Sequence, residues 1–304
     1  MRNAFADEIT ALAGADERIV LLSGDIGNRL FDKFKDLYPR RFINCGVAEA
    51  NMITLAAGLA LSGLRPVAYT IASFVTYRCM EQIRDDLCYH HVPVVVVGTG
   101  AGLSYAANGP THHTGEEIGM LRLLPGMTIV CPGDALEARA ALRATLQQPG
   151  PCYLRLGKKG EPVIHKSIPD LQIGKALCIR PGKDLALLST GNMLPTAMKT
   201  ADLLSKQGMA PEVISFHTVK PLDEEYLKQA FERFPVVATI EEHSRLGGLG
   251  GALAEWLADQ KPQRGRLVRF GMDDRFLHEA GEQEHARECY GLTAAKIAEI
   301  LVAE

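Results

Sequence analysis

The sequence predicts an α/β protein of two doubly wound open sheets, the first parallel, the second smaller and mostly parallel. Short β-branched runs alternate with helix-forming stretches along the whole chain, the pattern of successive strand–helix–strand units. The runs are apolar throughout instead of alternating with polar residues, as a parallel strand covered on both faces requires. At 304 residues the chain can fill two cores of ordinary size.

In chain order the strand candidates are "RIVLLSGD", "RFINCG", "RPVAYT", "VPVVVVG", "MTIVCPG" and "PCYLRLG", then "DLALLSTG", "PEVISF", "VVATIEEH" and "RLVRFG". Most end at a glycine, proline or aspartate, where an extended run gives way to a turn. Helical patterns fill the gaps at 49–62, 74–89, 134–147, 192–207, 223–233, 249–259 and 293–302. After "LRLGKKGEPVIHK" the alternation breaks in a stretch enriched in Gly, Pro and Lys. That break places a linker at 169–180 between a first domain, 1–168, and a second, 181–304. There are no repeats, heptads or low-complexity tracts.

Composition narrows the class. The 47% apolar and 23% charged fractions suit a soluble globular protein. A net charge of -3 gives no reason to expect nucleic acid or an anionic membrane as partner. The opening "MRNAFADEIT" lacks the apolar core of a secretory signal, and no apolar run approaches the roughly 18 residues of a membrane span. Cys45, Cys79, Cys88, Cys131, Cys152, Cys178 and Cys289 are odd in number, scattered and never spaced CxxC. Reduced thiols in a cytoplasmic protein are the expectation.

Ligands of open α/β sheets bind beyond the carboxyl ends of the strands. Four segments therefore converge on one candidate site: 24–30, 46–49, 70–77 and the long glycine-rich loop 100–113. Glu49 is conspicuous among them, because it lies where an apolar strand hands over to a largely apolar helix. A carboxylate out of water needs a partner. As a first-turn helical residue it could instead serve the helix dipole. Phe74 and Tyr77, three apart, could equally be a core stripe. Metal binding by the adjacent pairs His90-His91 or His112-His113 is not expected, since neighbouring side chains point apart and no further ligands complete a site.

"GVAEANM", "TIASFVTYRCMEQIR", "NGPTHH" and "YLRLGKK" follow in the order and spacing of the pyrimidine-binding domain of transketolases, which this half resembles. "LLSTGNM", "TIEEHSRLGGLGGALAEWL" and "GMDDRFLHEAGEQE" resemble the transketolase C-terminal domain. The resemblance covers nearly the whole chain. Deoxyxylulose-phosphate synthases and 2-oxoacid dehydrogenase beta subunits share this domain pair, but "GPTHH" and "SFVTY" look closer to transketolase.

The resemblance implies thiamine diphosphate as cofactor and transfer of a two-carbon ketol unit between sugars. Glu49 matches the glutamate that bonds ring nitrogen N1′ of the aminopyrimidine, so that the ring's amino group can act as a base. Phe74 matches the aromatic that stacks on that ring, Tyr77 a neighbouring ring contact, and Asp25 and Ile26 an acid and an apolar wedge beside the cofactor. His112 matches the histidine facing the reacting carbons, with hydrogen bonding and proton transfer as its role. Arg155 matches an arginine that holds a sugar phosphate, and Arg2 another, here at a terminus expected to be mobile. Three positions depart from the family pattern. Asn108 replaces the aspartate that reads a sugar hydroxyl, Gly100 replaces a phosphate-contacting histidine, and Arg29 replaces a small hydroxyl residue. The substrate is therefore expected to be an anionic sugar other than the usual pentose phosphates.

Full-length transketolases also carry a GDG motif with an asparagine downstream, which hold the metal and diphosphate. "SGDIG" is only the first part of such a motif. The expectation is half an enzyme: a homodimer that forms an α2β2 assembly with an N-terminal subunit supplying the Mg2+ and diphosphate site. Competing readings are a beta-type subunit of a related decarboxylating enzyme and a catalytically silent subunit that keeps the fold. A nucleotide-binding Rossmann protein is disfavoured because no GxGxxG follows the first strand.

Overall fold

The computed structural model describes every residue except Asn28, Pro262 and Glu304. Its strands are β1 (Ile19–Ser23), β2 (Phe42–Asn44), β3 (Arg65–Ile71), β4 (Val95–Thr99), β5 (Thr128–Val130), β6 (Cys152–Leu156), β7 (Leu177–Arg180), β8 (Leu185–Ser189), β9 (Pro211–Ser215), β10 (Thr218–Lys220), β11 (Val236–Ser244) and β12 (Arg266–Met272). The first sheet has the order β10-β5-β6-β4-β3-β1-β2 and the second β12-β11-β8-β9-β7. Strands β1 to β6 run parallel, with Leu22 paired to Ala68 and Val97 to Leu154. Val20 and Leu22 face one apolar layer, with Met52 and Val96; Ile19 and Leu21 face the other, with Phe5 and Val97. Covering on both faces explains why β1, β4 and β6 are mostly apolar and buried end to end.

Two edges differ from the parallel expectation. β10 comes from the second half of the chain yet pairs antiparallel with β5 of the first sheet, Thr218 opposite Val130. β7 pairs antiparallel with β9 and lies inside the stretch read as linker. Both are short edge strands, too brief to carry a long apolar run.

The expected helix over 74–89 is interrupted. A helix over Ala72–Thr76 is followed by a turn, a single turn at Met80–Gln82 and a wide helical turn over Ile83–Tyr89. Thr76 Oγ1 bonds back to the carbonyl of Ala72, and Cys79 Sγ to that of Phe74. Such back-bonding competes with the helical ladder and bends it. At the chain start a helix spans Arg2–Ala15, where a mobile terminus was expected. Phe5, Ile9 and Ala13 bury one face of it, and the Phe5 ring stacks on Tyr69 at 5.4 Å. The α-amino group pairs with Glu161 at 2.8 Å. Arg2 is thus held in place.

The two sheets are laced together by buried polar contacts. Cys131 donates its N–H to the carbonyl of His217, and Gly191 donates to that of Cys131. The wholly buried carboxylate of Glu242 accepts from Asn192, Gln283 and Arg287 in the second half and from the backbone N–H of Leu103 in the first (2.7 Å). Gly102 (φ +68°) makes that reach possible, since a Cβ there would lie 2.4 Å from Glu242 Oε1. Leu103 belongs to the loop after β4, so the second half of the chain props the loop that carries His112.

Removing one partner of a buried ion pair leaves the other charge stranded. Arg287→Ala should therefore lower unfolding free energy by about 3–5 kcal/mol. Guanidinium-induced unfolding measures it, and a loss below about 1 kcal/mol would show that water replaces the arginine without cost.

Candidate active site

The carboxyl ends of β1, β2, β3, β4 and β6 share one edge of the first sheet, and the loops that follow them build the site. Glu49 opens the helix Glu49–Leu61, directly after the turn that leaves β2. It is only 4% exposed. That turn is pinned by Asn44, which donates to Asp25 at 2.8 Å and accepts from the N–H of Gly46 at 2.9 Å. Asp25 itself is exposed and in a left-handed conformation (φ 57°). Its place is therefore to tie the β1 turn to the β2 turn. Beside it Cys79 is wholly buried, and burial, with the Glu49 charge adding to it, pushes that thiol up to about 12.

Phe74 lies in the helix Ala72–Thr76 that caps β3. His112, on the loop after β4, meets its ring edge-on at 5.1 Å between centroids. Ser73 Oγ bonds the carbonyl of Thr111 at 2.9 Å and so fixes the loop against this helix. Thr111 Oγ1 lies 2.9 Å from His112 Nδ1. Burial first, then the charges of His113 and Arg78, hold the His112 pKa below the ordinary histidine range. Neutral imidazole is therefore the resting form. Tyr77 is half-buried and its hydroxyl donates to Glu116 at 2.5 Å. Glu49, Phe74, Tyr77 and His112 are thus brought to one edge.

Other expected residues stand differently. Ile26 packs against the core cluster of Phe31 and Leu30 and accepts from Ser23 Oγ with its carbonyl. Arg29 (φ 61°) and Asn108 are exposed, and their side chains make no hydrogen bond among the described residues. Arg2 is partly buried, and its Nε is buried without a partner. Arg155 is the correction. It is 3% exposed and bonded inside the protein: Nε donates to Glu117 (2.5 Å), and Nη2 to the carbonyls of Thr114 (3.1 Å) and Glu242 (3.0 Å). An arginine in the middle of a buried strand with a buried carboxylate beside it has no face left for a sugar phosphate. It fastens the loop and the second sheet to the first.

Three site residues escape a reading of the sequence. The Tyr105 ring sits over Gly100 (φ +71°), where a Cβ would lie 1.8 Å from Tyr105 Cε2, and it meets His112 edge-on at 6.2 Å. A phenol thus occupies the space that a side chain at position 100 would need. Lys158, two residues past β6, lies beside Arg2, whose N–H reaches its carbonyl. Arg78 packs over the Phe74 ring at 4.0 Å and reaches Glu49 Oε2 at 3.4 Å. None has a sequence signal of its own; a tyrosine five residues after a glycine that lacks the family side chain is the one available hint.

The family model for the pyrimidine-binding domain of transketolase matches residues 1–161, and that for the transketolase C-terminal domain matches 174–297. The 6-deoxy-6-sulfo-D-fructose transketolase subunit SqwH of Clostridium sp. (strain MSTE9) is 37% identical over 98% of this chain and 92% of its own. An apulose-4-phosphate transketolase subunit of Phocaeicola vulgatus is 34% identical over 96% and 93%. Among solved structures, a split-gene transketolase described as an inactive β4 tetramer is 32% identical, with a TM-score of 0.90 over 98% of this chain and 95% of that one.

A histidine whose pKa is depressed by folding binds its proton less readily than in the unfolded chain. Stability should therefore fall as pH drops through the ordinary histidine range, and be unaffected above it. NMR titration of His112 should give a midpoint below 6.5, the ordinary value for the side chain. A midpoint at or above that value would mean that the loop does not bury the ring.

Proposed function

The chain belongs to the transketolase family over both of its domains, and on that basis we propose that it is the C-terminal subunit of a split transketolase. It would transfer a two-carbon ketol unit from an anionic ketose to an aldose. The observation that carries this reading is a buried carboxylate, Glu49, bridged by Arg78 to an aromatic ring, Phe74, with an imidazole, His112, edge-on against that ring.

These residues fit the aminopyrimidine end of thiamine diphosphate, the cofactor of this family. A dry carboxylate offers the acceptor that a ring nitrogen needs, and Phe74 offers a π-face for a flat heterocycle. When bound, the cofactor supplies the nucleophilic carbon that carries the ketol unit from one sugar to the other. Glu49 holds a proton at N1′, and the apolar surroundings strengthen that bond. His112, neutral at rest, can accept a proton from a sugar hydroxyl and return it to an oxygen as carbon–carbon bonds break and form. Tyr77, Ile26 and Asp25 would line the cofactor side.

At the sugar end we assign Asn108 to a substrate hydroxyl and Arg2 and Arg29 to an anionic group, with Lys158 beside Arg2 in place of Arg155. Two transketolase subunits that resemble this chain carry names with a sulfonated and a phosphorylated sugar, which supports an anionic substrate. Tyr105 over Gly100 narrows the sugar pocket and favours a substrate other than the common pentose phosphates.

Among the described residues no group of three or more His, Cys, Asp or Glu side chains is arranged to hold a metal ion. We therefore assign Mg2+ and the diphosphate to an N-terminal partner chain. The solved relative is an inactive tetramer of β chains, which supports a need for a second subunit. Val47, two residues before Glu49, is 76% exposed and gives the open side of the site an apolar surface for that partner. Closed symmetry favours a twofold pair as the building unit, completed as α2β2. Seven free thiols suit the cytoplasm.

With the partner bound, Glu49→Gln should cut turnover by about 10²–10⁴-fold while unfolding is unchanged. Steady-state ketol transfer checks this. Wild-type turnover in the variant would remove Glu49 from the chemistry. Thiamine diphosphate with Mg2+ should bind tightly only after the partner is added, and stoichiometric tight binding by this chain alone would contradict the split arrangement.

A further inference from the structure

The two features that make the pyrimidine pocket are both taken by one side chain of the protein itself. Arg78 follows the helix that carries Phe74 and lies in the turn where that helix breaks. Its guanidinium carbon stands 4.0 Å over the centre of the Phe74 ring. Its Nη1 reaches Glu49 Oε2 at 3.4 Å, the one hydrogen bond to the Glu49 carboxylate among the described residues. A guanidinium is planar and delocalised, donates N–H bonds to a carboxylate and packs flat on an aromatic face. An aminopyrimidine asks the same pocket for the same two things.

We propose that Arg78 is a resident stand-in for the pyrimidine ring: it latches the pocket of the free chain and must swing out before the cofactor can seat. This rests on the reading of Glu49 and Phe74 as the pyrimidine site. The ring and the guanidinium cannot share one π-face and one carboxylate oxygen, so each excludes the other. The swing is available, because the Arg78 side chain is 51% exposed and rises from a turn, not from the middle of a helix. In the free chain the latch pairs a buried carboxylate that would otherwise stand alone, and it covers an aromatic face that would otherwise meet water. Its cost falls on cofactor binding, since both contacts are lost when the ring arrives. A partner surface that offers Arg78 a carboxylate would draw it away and open the pocket. Subunit assembly would then precede cofactor binding for a reason built into this chain.

An ion pair whose arginine is half exposed and a cation–π contact together correspond to about tenfold in affinity. Titrating the full-length free chain with thiamine diphosphate and Mg2+, followed by saturation-transfer NMR and calorimetry, reads that effect without any turnover. Arg78→Met keeps the apolar stem and removes the guanidinium; it should bind about tenfold more tightly than the wild type. Circular dichroism and the unfolding midpoint establish that the variant is folded. Arg78→Lys, which keeps the charge but not the planar fork, should fall between the two. Equal or weaker binding by Arg78→Met, including no detectable binding by either protein, overturns the latch. Glu49→Gln in the assembled enzyme judges the site itself. If that variant loses activity while Arg78→Met gains no affinity, only the latch is wrong; if it keeps activity, the site reading fails and the latch with it.

Discussion

A carboxylate taken out of water costs free energy unless something satisfies it, and Glu49 sets that condition at the edge of the first sheet. Its place at the first turn of a helix, just past the end of β2, puts it on the edge where six parallel strands end. The neighbouring turns are arranged to keep it there. Asn44 locks the turn that precedes Glu49 to the turn after β1 through Asp25. The helix break after Thr76 brings Arg78 over the Phe74 ring and within reach of Glu49. Without those constraints the chain would bury a charge and gain no pocket.

The second half of the chain holds the other wall. Glu242 reaches across to the backbone of Leu103, and Arg155 ties Glu117, Thr114 and Glu242 together. Both fix the loop that carries Asn108 and His112. β10 extends the first sheet by one strand, and Lys220, which ends it, donates to the carbonyls of Arg122 and Leu124. The second sheet thus acts on the candidate chemistry through rigidity, since none of its side chains is bonded to Glu49, Phe74 or His112 among the described residues. Precise placement of a proton-transfer group requires that kind of support.

Much of this is legible in the sequence. The doubly wound class follows from apolar runs, and the helix expected over 49–62 is observed over Glu49–Leu61. The meeting of Glu49, Phe74 and His112 follows from their places after three different strands. What cannot be read depends on contacts distant in sequence. Arg155 looks like a binding arginine because its partners, Glu117 and the carbonyl of Glu242, lie 38 and 87 residues away. β10 is hidden because a three-residue edge strand has no periodicity. The helix over Arg2–Ala15 gives little signal because a short stretch rich in alanine shows only a faint apolar face. Arg78 resembles any surface arginine until Phe74 and Glu49 are placed beneath it.

The protonation state of the ring nitrogen that Glu49 is assigned to hold is the most direct test of the site. Thiamine diphosphate labelled with ¹⁵N at N1′, bound to the assembled enzyme, reports that state through its chemical shift. The shift of a protonated, hydrogen-bonded nitrogen is expected in the wild type and should revert toward that of the free neutral ring in Glu49→Gln. Identical shifts in the two proteins would mean that Glu49 does not touch the pyrimidine.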